Sequence, residues 1–194
     1  MIAIIDYRMG NLRSVENALG RLGAEYAVTS DPEAIRSASK VLLPGVGNAA
    51  EAMANLREAG LVDVIRGLRK PVLGICIGMQ VLCRFSEEGN TRCIGLFDTD
   101  VRRFEPAPGL KIPHMGWNAI DNLDSKLFKG VDEGSFVYFV HSYRPGLCCD
   151  TIATSDHGGL FSAALKYENF YGTQFHPEKS GDVGEKILAN FLAL

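Results

Sequence analysis

The sequence predicts an α/β fold: a mostly parallel, doubly wound sheet with an antiparallel extension. Three observations lead there. Short apolar runs alternate with amphipathic stretches through the first half of the chain, as expected of strands covered on both faces by crossover helices. From about Ile94 to Leu165 the pattern changes to strand-like segments separated by Pro/Gly turns, which reads as mixed or antiparallel. A length of 194 residues with 46% hydrophobic and 22% charged content suits a single domain, 1–194, with one large core, and is too apolar for intrinsic disorder.

The elements follow in order. Ile2-Ala3-Ile4-Ile5 reads as a buried strand, and Val15, Ala18, Leu19 and Leu22 then recur at helical spacing until Gly23 supplies a stop. Lys40-Val41-Leu42-Leu43 is a second strand, followed by helices bearing Ala49, Met53 and Leu56 and then Leu61, Val64, Ile65 and Leu68. Val72-Leu73-Gly74-Ile75 is a third strand, and a helix carrying Met79, Val81 and Leu82 is expected almost at once. Phe136 to Val140 forms a strand before the Arg144-Pro145-Gly146 turn. The chain closes with a strand around Phe170 to Phe175 and a helix whose stripe is Ile187, Leu188, Phe191 and Leu192. There is no internal repeat, low-complexity tract or linker.

Composition excludes several classes. The net charge of −3, from 20 Lys+Arg against 23 Asp+Glu, comes with no basic run, so neither nucleic acid nor an anionic membrane is an expected partner. No apolar stretch approaches 18 residues, and Met1 to Asp6 lacks the basic region and cleavage site of a secretory signal; a cytoplasmic location is expected. The five cysteines, Cys76, Cys83, Cys93, Cys148 and Cys149, show no C-x-x-C spacing, so neither a disulfide framework nor a metal site is suggested. No Walker or G-x-G-x-x-G phosphate loop is present, and no cofactor is expected.

One cysteine has unusual neighbours. Gly74-Ile75-Cys76-Ile77-Gly78 places a thiol between glycines, directly between a predicted strand and a predicted helix, as in a nucleophile elbow. The tight turn strains the nucleophile's backbone, and side chains at the flanking positions would collide. The amino end of the following helix faces the sulfur, a placement that favours thiolate. A thiol nucleophile needs a base, and the base needs an orienting acceptor. His176 follows the last apolar strand in His176-Pro177-Glu178, where the carboxyl edge of a parallel sheet would bring it to Cys76, and Glu178 is placed to accept from the imidazole. His114, His141 and His157 read as satisfied or solvated. Acyl transfer also needs donors for an oxyanion. The Ile77 amide is one, and the other source is the loop Pro44-Gly45-Val46-Gly47, through the amides of Gly45 and Val46.

These motifs together resemble the class I (triad) glutamine amidotransferases, with their flavodoxin-like fold. Within that family the chain is most similar to the branch that forms the glutaminase subunit of imidazole glycerol phosphate synthase in histidine biosynthesis. That branch is indicated by Pro113-His114-Met115-Gly116-Trp117-Asn118, by Tyr138-Phe139-Val140-His141-Ser142-Tyr143, by Gln174 to Ser180, and by Ile5 to Leu12. The matches run in order along essentially the whole chain. One departure is Arg8, where the family usually has glycine.

The resemblance implies a Cys76, His176, Glu178 triad that hydrolyses L-glutamine through a γ-glutamyl thioester. It implies a substrate pocket using Gly47, Gln80, Glu88, Ser142 and Tyr143. From the residues alone, Gln80 is one helical turn beyond Cys76, whereas Ser86-Glu87-Glu88-Gly89 looks like a solvated helix end. The resemblance also implies a heterodimer with a (β/α)8-barrel cyclase subunit that receives the ammonia, with Asn11, Trp117, Tyr138 and Lys179 at the interface. Two other readings stay open at this level: an amidotransferase subunit serving another acceptor, such as a surface-sugar pathway, and a non-catalytic flavodoxin-like binding module.

Overall fold

A computed structural model describes residues 1–194. Its centre is a seven-stranded sheet. β1 (Ile2–Ile5) pairs in parallel with β2 (Tyr26–Thr29) on one side and β3 (Lys40–Gly45) on the other. β4 (Val72–Cys76) continues in parallel beyond β3, and β13 (Phe170–Thr173) beyond β4. Every residue of β1, β4 and β13 is buried, because helices cover both faces. α1 (Leu12–Arg21), α3 (Ala49–Glu58), α4 (Leu61–Arg66) and α6 (Gly181–Leu192) bury the apolar stripes that the sequence marks. Phe191 of α6 is fully buried, and its truncation to alanine belongs to the class of change that costs about 3–5 kcal/mol.

The parallel half contains two elements that apolar alternation does not reveal. β2 lies at the sheet edge and is only half-buried, so Tyr26 to Thr29 forms no continuous apolar run. α2 (Pro32–Ser37) is short, but it carries a start signal: Asp31 accepts from the amides of Glu33 and Ala34, with Pro32 at the first helical position. The helix expected after β4 also differs. α5 (Ile77–Gln80) is a single turn, and the chain then turns through Val81 to Cys83. Met79, Val81 and Leu82 are buried by that compact turn rather than by a helical stripe. A four-residue helix also gives less dipole at Cys76 than the expected longer one.

The middle of the chain is mixed, as the turn-rich sequence predicts. β5 (Phe85–Ser86), β6 (Thr91–Arg92), β7 (Asp100–Arg103) and β10 (Tyr143–Pro145) form a small sheet in the order β10-β7-β5-β6. β8 (His114–Ile120) and β9 (Ser135–His141) form a two-stranded antiparallel ribbon. β11 (Thr151–Asp156) and β12 (Leu160–Tyr167) return to the main sheet as its antiparallel edge beside β13. One connected core of 52 residues runs through all of this. No helix is long and apolar enough to cross a membrane.

The register positions the site. Gly45 is opposite Cys76 where β3 and β4 end, and Thr173 is opposite Ile75 where β13 ends. The closing strand therefore stops before Gln174, and the following residues emerge at the same sheet edge as Cys76.

Candidate active site

Cys76 ends β4 in a left-handed conformation, φ 54° and ψ −111°, which costs a non-glycine residue of order 1–3 kcal/mol. The flanking glycines make the turn possible. A Cβ on Gly78 would lie 1.7 Å from the Leu43 carbonyl oxygen, and one on Gly74 would lie 2.6 Å from that of Gly78. The side chain is nearly enclosed, with Sγ 3.9 Å from the Val140 carbonyl and 3.7 Å from Gln174 Nε2.

His176 Nδ1 is 2.7 Å from Glu178 Oε1, and both side chains are 2% exposed. Glu178 belongs to the single 3₁₀ turn Pro177–Lys179 that follows. The backbone of His176 is fixed as well: its amide donates to Tyr138 O at 2.9 Å, and Ser180 Oγ donates to His176 O at 2.6 Å. His176 Nε2 is buried with no partner in hydrogen-bond geometry. Burial opposes charge on this imidazole, yet the Cys76 sulfur and the Glu178 carboxylate together outweigh it and push its pKa up to about 10.

These groups open onto a cavity of about 260 Å³, smaller than the roughly 300–1,000 Å³ of sites for drug-sized ligands and suited to one small molecule. Val46, Gly47, Ile77, Gln80, Glu88, Ser142 and Tyr143 all line it together with Cys76 and His176. Gly45 does not line it, since the strand β3 extends through Gly45 and the loop begins only at Val46. Gln80 Nε2 donates to Tyr143 O at 3.0 Å and to Gln174 Oε1 at 2.9 Å, leaving its own Oε1 buried without a partner. Glu88 is no helix end. It lies in the turn between β5 and β6, where its Oε2 accepts from the Ala49 amide at 2.9 Å, and burial raises its pKa against that hydrogen bond.

Trp117, Tyr138 and Lys179 cluster next to this site. The Trp117 and Tyr138 rings, paired across the ribbon, meet edge to face at 6.2 Å, and Lys179 Nζ lies 6.0 Å over the Tyr138 ring. Asn11 is exposed and caps α1 by accepting from Ser14 N; α1 packs against the Pro177–Lys179 turn. Of the remaining cysteines, Cys83 and Cys93 are buried, Cys148 is half-buried and Cys149 is exposed, all as free thiols. No group of three or more His, Cys, Asp or Glu side chains is arranged to hold a metal ion.

Two neighbours of Cys76 escape sequence reasoning. Gln174, fully buried, bridges Gln80 and Cys76. Tyr7 is also buried, its hydroxyl lacks a partner, and it would touch a Cβ on Gly45 at 2.5 Å. Both lie in segments that carry the resemblance, Gln174 to Ser180 and Ile5 to Leu12, but nothing in the sequence shows that either side chain reaches Cys76.

Comparison with known proteins agrees with this geometry. The family model described as glutamine amidotransferase class-I matches residues 3–194. The imidazole glycerol phosphate synthase subunit HisH of Bacteroides fragilis is 57% identical over 194 residues, covering 100% of this chain and 99% of the relative. The HisH subunit of Xanthomonas campestris pv. campestris is 47% identical, covering 100% and 97%. A crystal structure described as a glutamine amidotransferase shares the fold with a TM-score of 0.77 at 18% identity, over 100% of this chain and 98% of that one. A glutamine amidotransferase from Thermotoga maritima superposes with a TM-score of 0.68 at 18% identity, over 99% and 82%. A buried thiol on a strained turn, an imidazole locked to a carboxylate and near identity of length with the HisH relatives lead to one conclusion: the chain belongs to the class I glutamine amidotransferases and, within them, to the HisH subunits of imidazole glycerol phosphate synthase.

Proposed function

We infer that the chain, acting as one amidotransferase domain over 1–194, hydrolyses L-glutamine to glutamate and ammonia with Cys76 as nucleophile, His176 as general acid and base, and Glu178 as the group that orients the ring. The observation that carries this reading is the geometry: Cys76, on its strained turn, lines the same cavity as His176, whose Nδ1 is locked to Glu178 Oε1 at 2.7 Å. In the first half-reaction His176 takes the Cys76 thiol proton as the sulfur attacks Cδ of glutamine, the C–N bond breaks, and His176 returns that proton to the nitrogen, which leaves as ammonia. In the second, His176 takes a proton from water, the hydroxide attacks the thioester, and the sulfur departs as thiolate. The oxyanion is received by the Ile77 amide and by an amide of Gly45 or Val46; each such donor is worth roughly 2.7–4 kcal/mol. Val46 and Gly47 flank the cavity, and their loop is the part able to rotate a peptide into or out of the donating pose.

Glutamine is held by Gly47, Gln80, Glu88, Ser142 and Tyr143. The ammonia passes to a (β/α)8-barrel cyclase subunit in a cytoplasmic heterodimer. There it joins a phosphoribulosyl formimino carboxamide ribotide to give imidazole glycerol phosphate and an aminoimidazole carboxamide ribotide. Asn11, Trp117, Tyr138 and Lys179 meet that partner. The test is glutaminase turnover of the chain alone, with a cyclase subunit, and with cyclase plus ribotide. Slow turnover alone and a rise by orders of magnitude in the full mixture are expected. Full activity in the lone chain, unchanged by both additions, overturns the coupling and the partner assignment.

A further inference from the structure

Three of the four histidines lie outside the triad, and two of them are buried beneath the ribbon. His114 and His141 oppose each other in the β8–β9 register, with His114 Nδ1 3.0 Å from His141 Nε2. The row extends in both directions. Asn118 Nδ2 lies 3.2 Å from His114 Nε2 and donates to Asp156 O at 2.8 Å, while its Oδ1 accepts from the Ala119 amide. At the other end His141 Nδ1 lies 2.8 Å from Tyr143 O, the same carbonyl that accepts from Gln80 Nε2.

The ends dictate the protons. A carbonyl only accepts, so His141 Nδ1 carries hydrogen; an amide nitrogen only donates, so His114 Nε2 offers its lone pair. With hydrogen on Nδ1 of both rings, His114 donates to His141 Nε2 and every polar atom in the row is satisfied. A proton added to either ring would set N–H against N–H. The surroundings favour neutral rings: Phe139 stacks on His114 at 4.7 Å, His157 stacks on it at 4.0 Å, and Phe104 lies 5.2 Å from His141. Arg144 covers the far side of that cluster, 4.8 Å over the Phe104 ring. Burial first, and then neighbouring histidines, push His141 down to about 3 and His114 to about 4, against the pull of the Tyr143 carbonyl on His141.

The row ends at the nucleophile. Because Gln80 Nε2 is used twice, by Tyr143 O and by Gln174 Oε1, the group Gln80 has left is its unpartnered Oε1, an acceptor suited to an ammonium or amide N–H of substrate. Resting on the glutaminase reading, we propose that His114 and His141 are positioning residues for glutamine hydrolysis: they transmit the register of the ribbon to the Tyr143 carbonyl and so hold the Gln80 oxygen ready for substrate.

The experiment uses the complex with the cyclase and saturating ribotide. His141→Phe should raise the glutamine KM about tenfold, as expected for removing a donor to a buried carbonyl, with kcat within a few-fold. His141→Asn, whose amide nitrogen replaces Nδ1, should recover most of that loss. The rate of Cys76 alkylation by iodoacetamide should not change. An unchanged KM in His141→Phe, or no recovery in His141→Asn, overturns the proposal. Nitrogen-15 NMR of the wild-type protein gives a reading independent of activity and of variant folding. Both rings should show the Nδ1–H tautomer and stay neutral at pH 6; an Nε2–H tautomer in either ring overturns the proposal. Failure of the glutaminase reading is distinct, since it appears as wild-type complex without turnover or as turnover that survives Cys76→Ala.

Discussion

β4 and the β8–β9 ribbon are both rich in apolar residues, yet they are buried in different ways. All five residues of β4 are enclosed, with neighbouring strands on both edges and helices on both faces. The ribbon covers one face only. Ile120, Val137 and Phe139 point inward with the two histidines, while Met115 (64% exposed), Trp117 (55%) and Phe136 (57%) point outward. The enclosed strand can hold a cysteine in a strained conformation because nothing around it can relax. The open face is an aromatic surface of the kind that marks a protein contact. The two regions meet at the proposed triad, where Val140 O lies against Cys76 Sγ and Tyr138 O accepts from the His176 amide. A partner seated on the ribbon is therefore one strand away from the reacting atoms.

The largest effects should come from the enclosed side. Cys76→Ala removes the proposed nucleophile from an otherwise intact turn and should abolish glutamine hydrolysis in a folded protein. Single changes at Cys83, Cys93, Cys148 or Cys149 should leave turnover within a few-fold. His176→Ala should lower the rate of thioester formation by roughly 10²- to 10⁴-fold, and Glu178→Gln by less, since it only orients the ring. Single-turnover acylation checks both. Near wild-type turnover in Cys76→Ala, or a harmless His176→Ala, would break the comparison at its chemical end.

The open face should show a smaller effect of a different kind. Trp117→Ala removes an exposed ring that packs on Tyr138, and a buried aromatic anchor at an interface is worth about 2 kcal/mol, or roughly thirtyfold in Kd. Association with the cyclase should weaken by that order while iodoacetamide still labels Cys76 at the wild-type rate. Equal loss in both measurements would mean that Trp117 supports the fold rather than the contact.

Much of the enclosed region was legible because its physics is local. Ile2 to Ile5, Lys40 to Leu43 and Val72 to Ile75 are continuous apolar runs, and Gly74 and Gly78 announce the turn by their spacing. The carboxyl-edge rule was enough to bring His176 to Cys76 across 100 residues. What stayed hidden depends on distant partners. Glu88 reads as solvated until Ala49 is seen to donate to it, and Gln174 looks like one more strand residue until Gln80 is placed beside it. α5 misled for a related reason: Val81 and Leu82 continue a helical stripe in sequence, but their burial comes from tertiary packing after the helix has ended.

The inner face of the ribbon sets a pH limit. His141 and His114 have folded values of about 3 and about 4, below the roughly 6.5 of an unfolded histidine. Between those values the unfolded chain binds more protons, so the stabilisation is complete above about pH 6.5 and is lost as pH falls towards the folded values. Each ring contributes a slope of up to about 1.4 kcal/mol per pH unit. Urea unfolding between pH 6.5 and 5 should show this decline, and His141→Phe should flatten it by about one ring's share. An unaltered slope would mean that His141 is already charged in the folded protein.

The smallest effect concerns strain that has no chemical use. Arg8, like Cys76, has a positive φ, 65°, but in the bend that follows β1 rather than at a strand end. It is the position where the resemblance leads one to expect glycine, and it does not line the cavity around Cys76. The left-handed conformation costs a non-glycine residue about 1–2 kcal/mol. Arg8→Gly removes that strain but gives the unfolded chain more freedom, a loss of about 0.4–1 kcal/mol. It also removes the exposed contact of Arg8 Nη1 with Glu58 Oε1 at 3.4 Å, a pair of the kind worth a few tenths of a kcal/mol. The balance is a gain of about 0.5 kcal/mol, or roughly 1–2 °C in Tm for a chain of this length. Calorimetry should find that small rise with glutaminase turnover unchanged. A lower Tm would show that the Glu58 contact outweighs the strain, and a fall in turnover would show that the loop after β1 acts on the site through Tyr7, whose unpartnered hydroxyl lies beside Gly45.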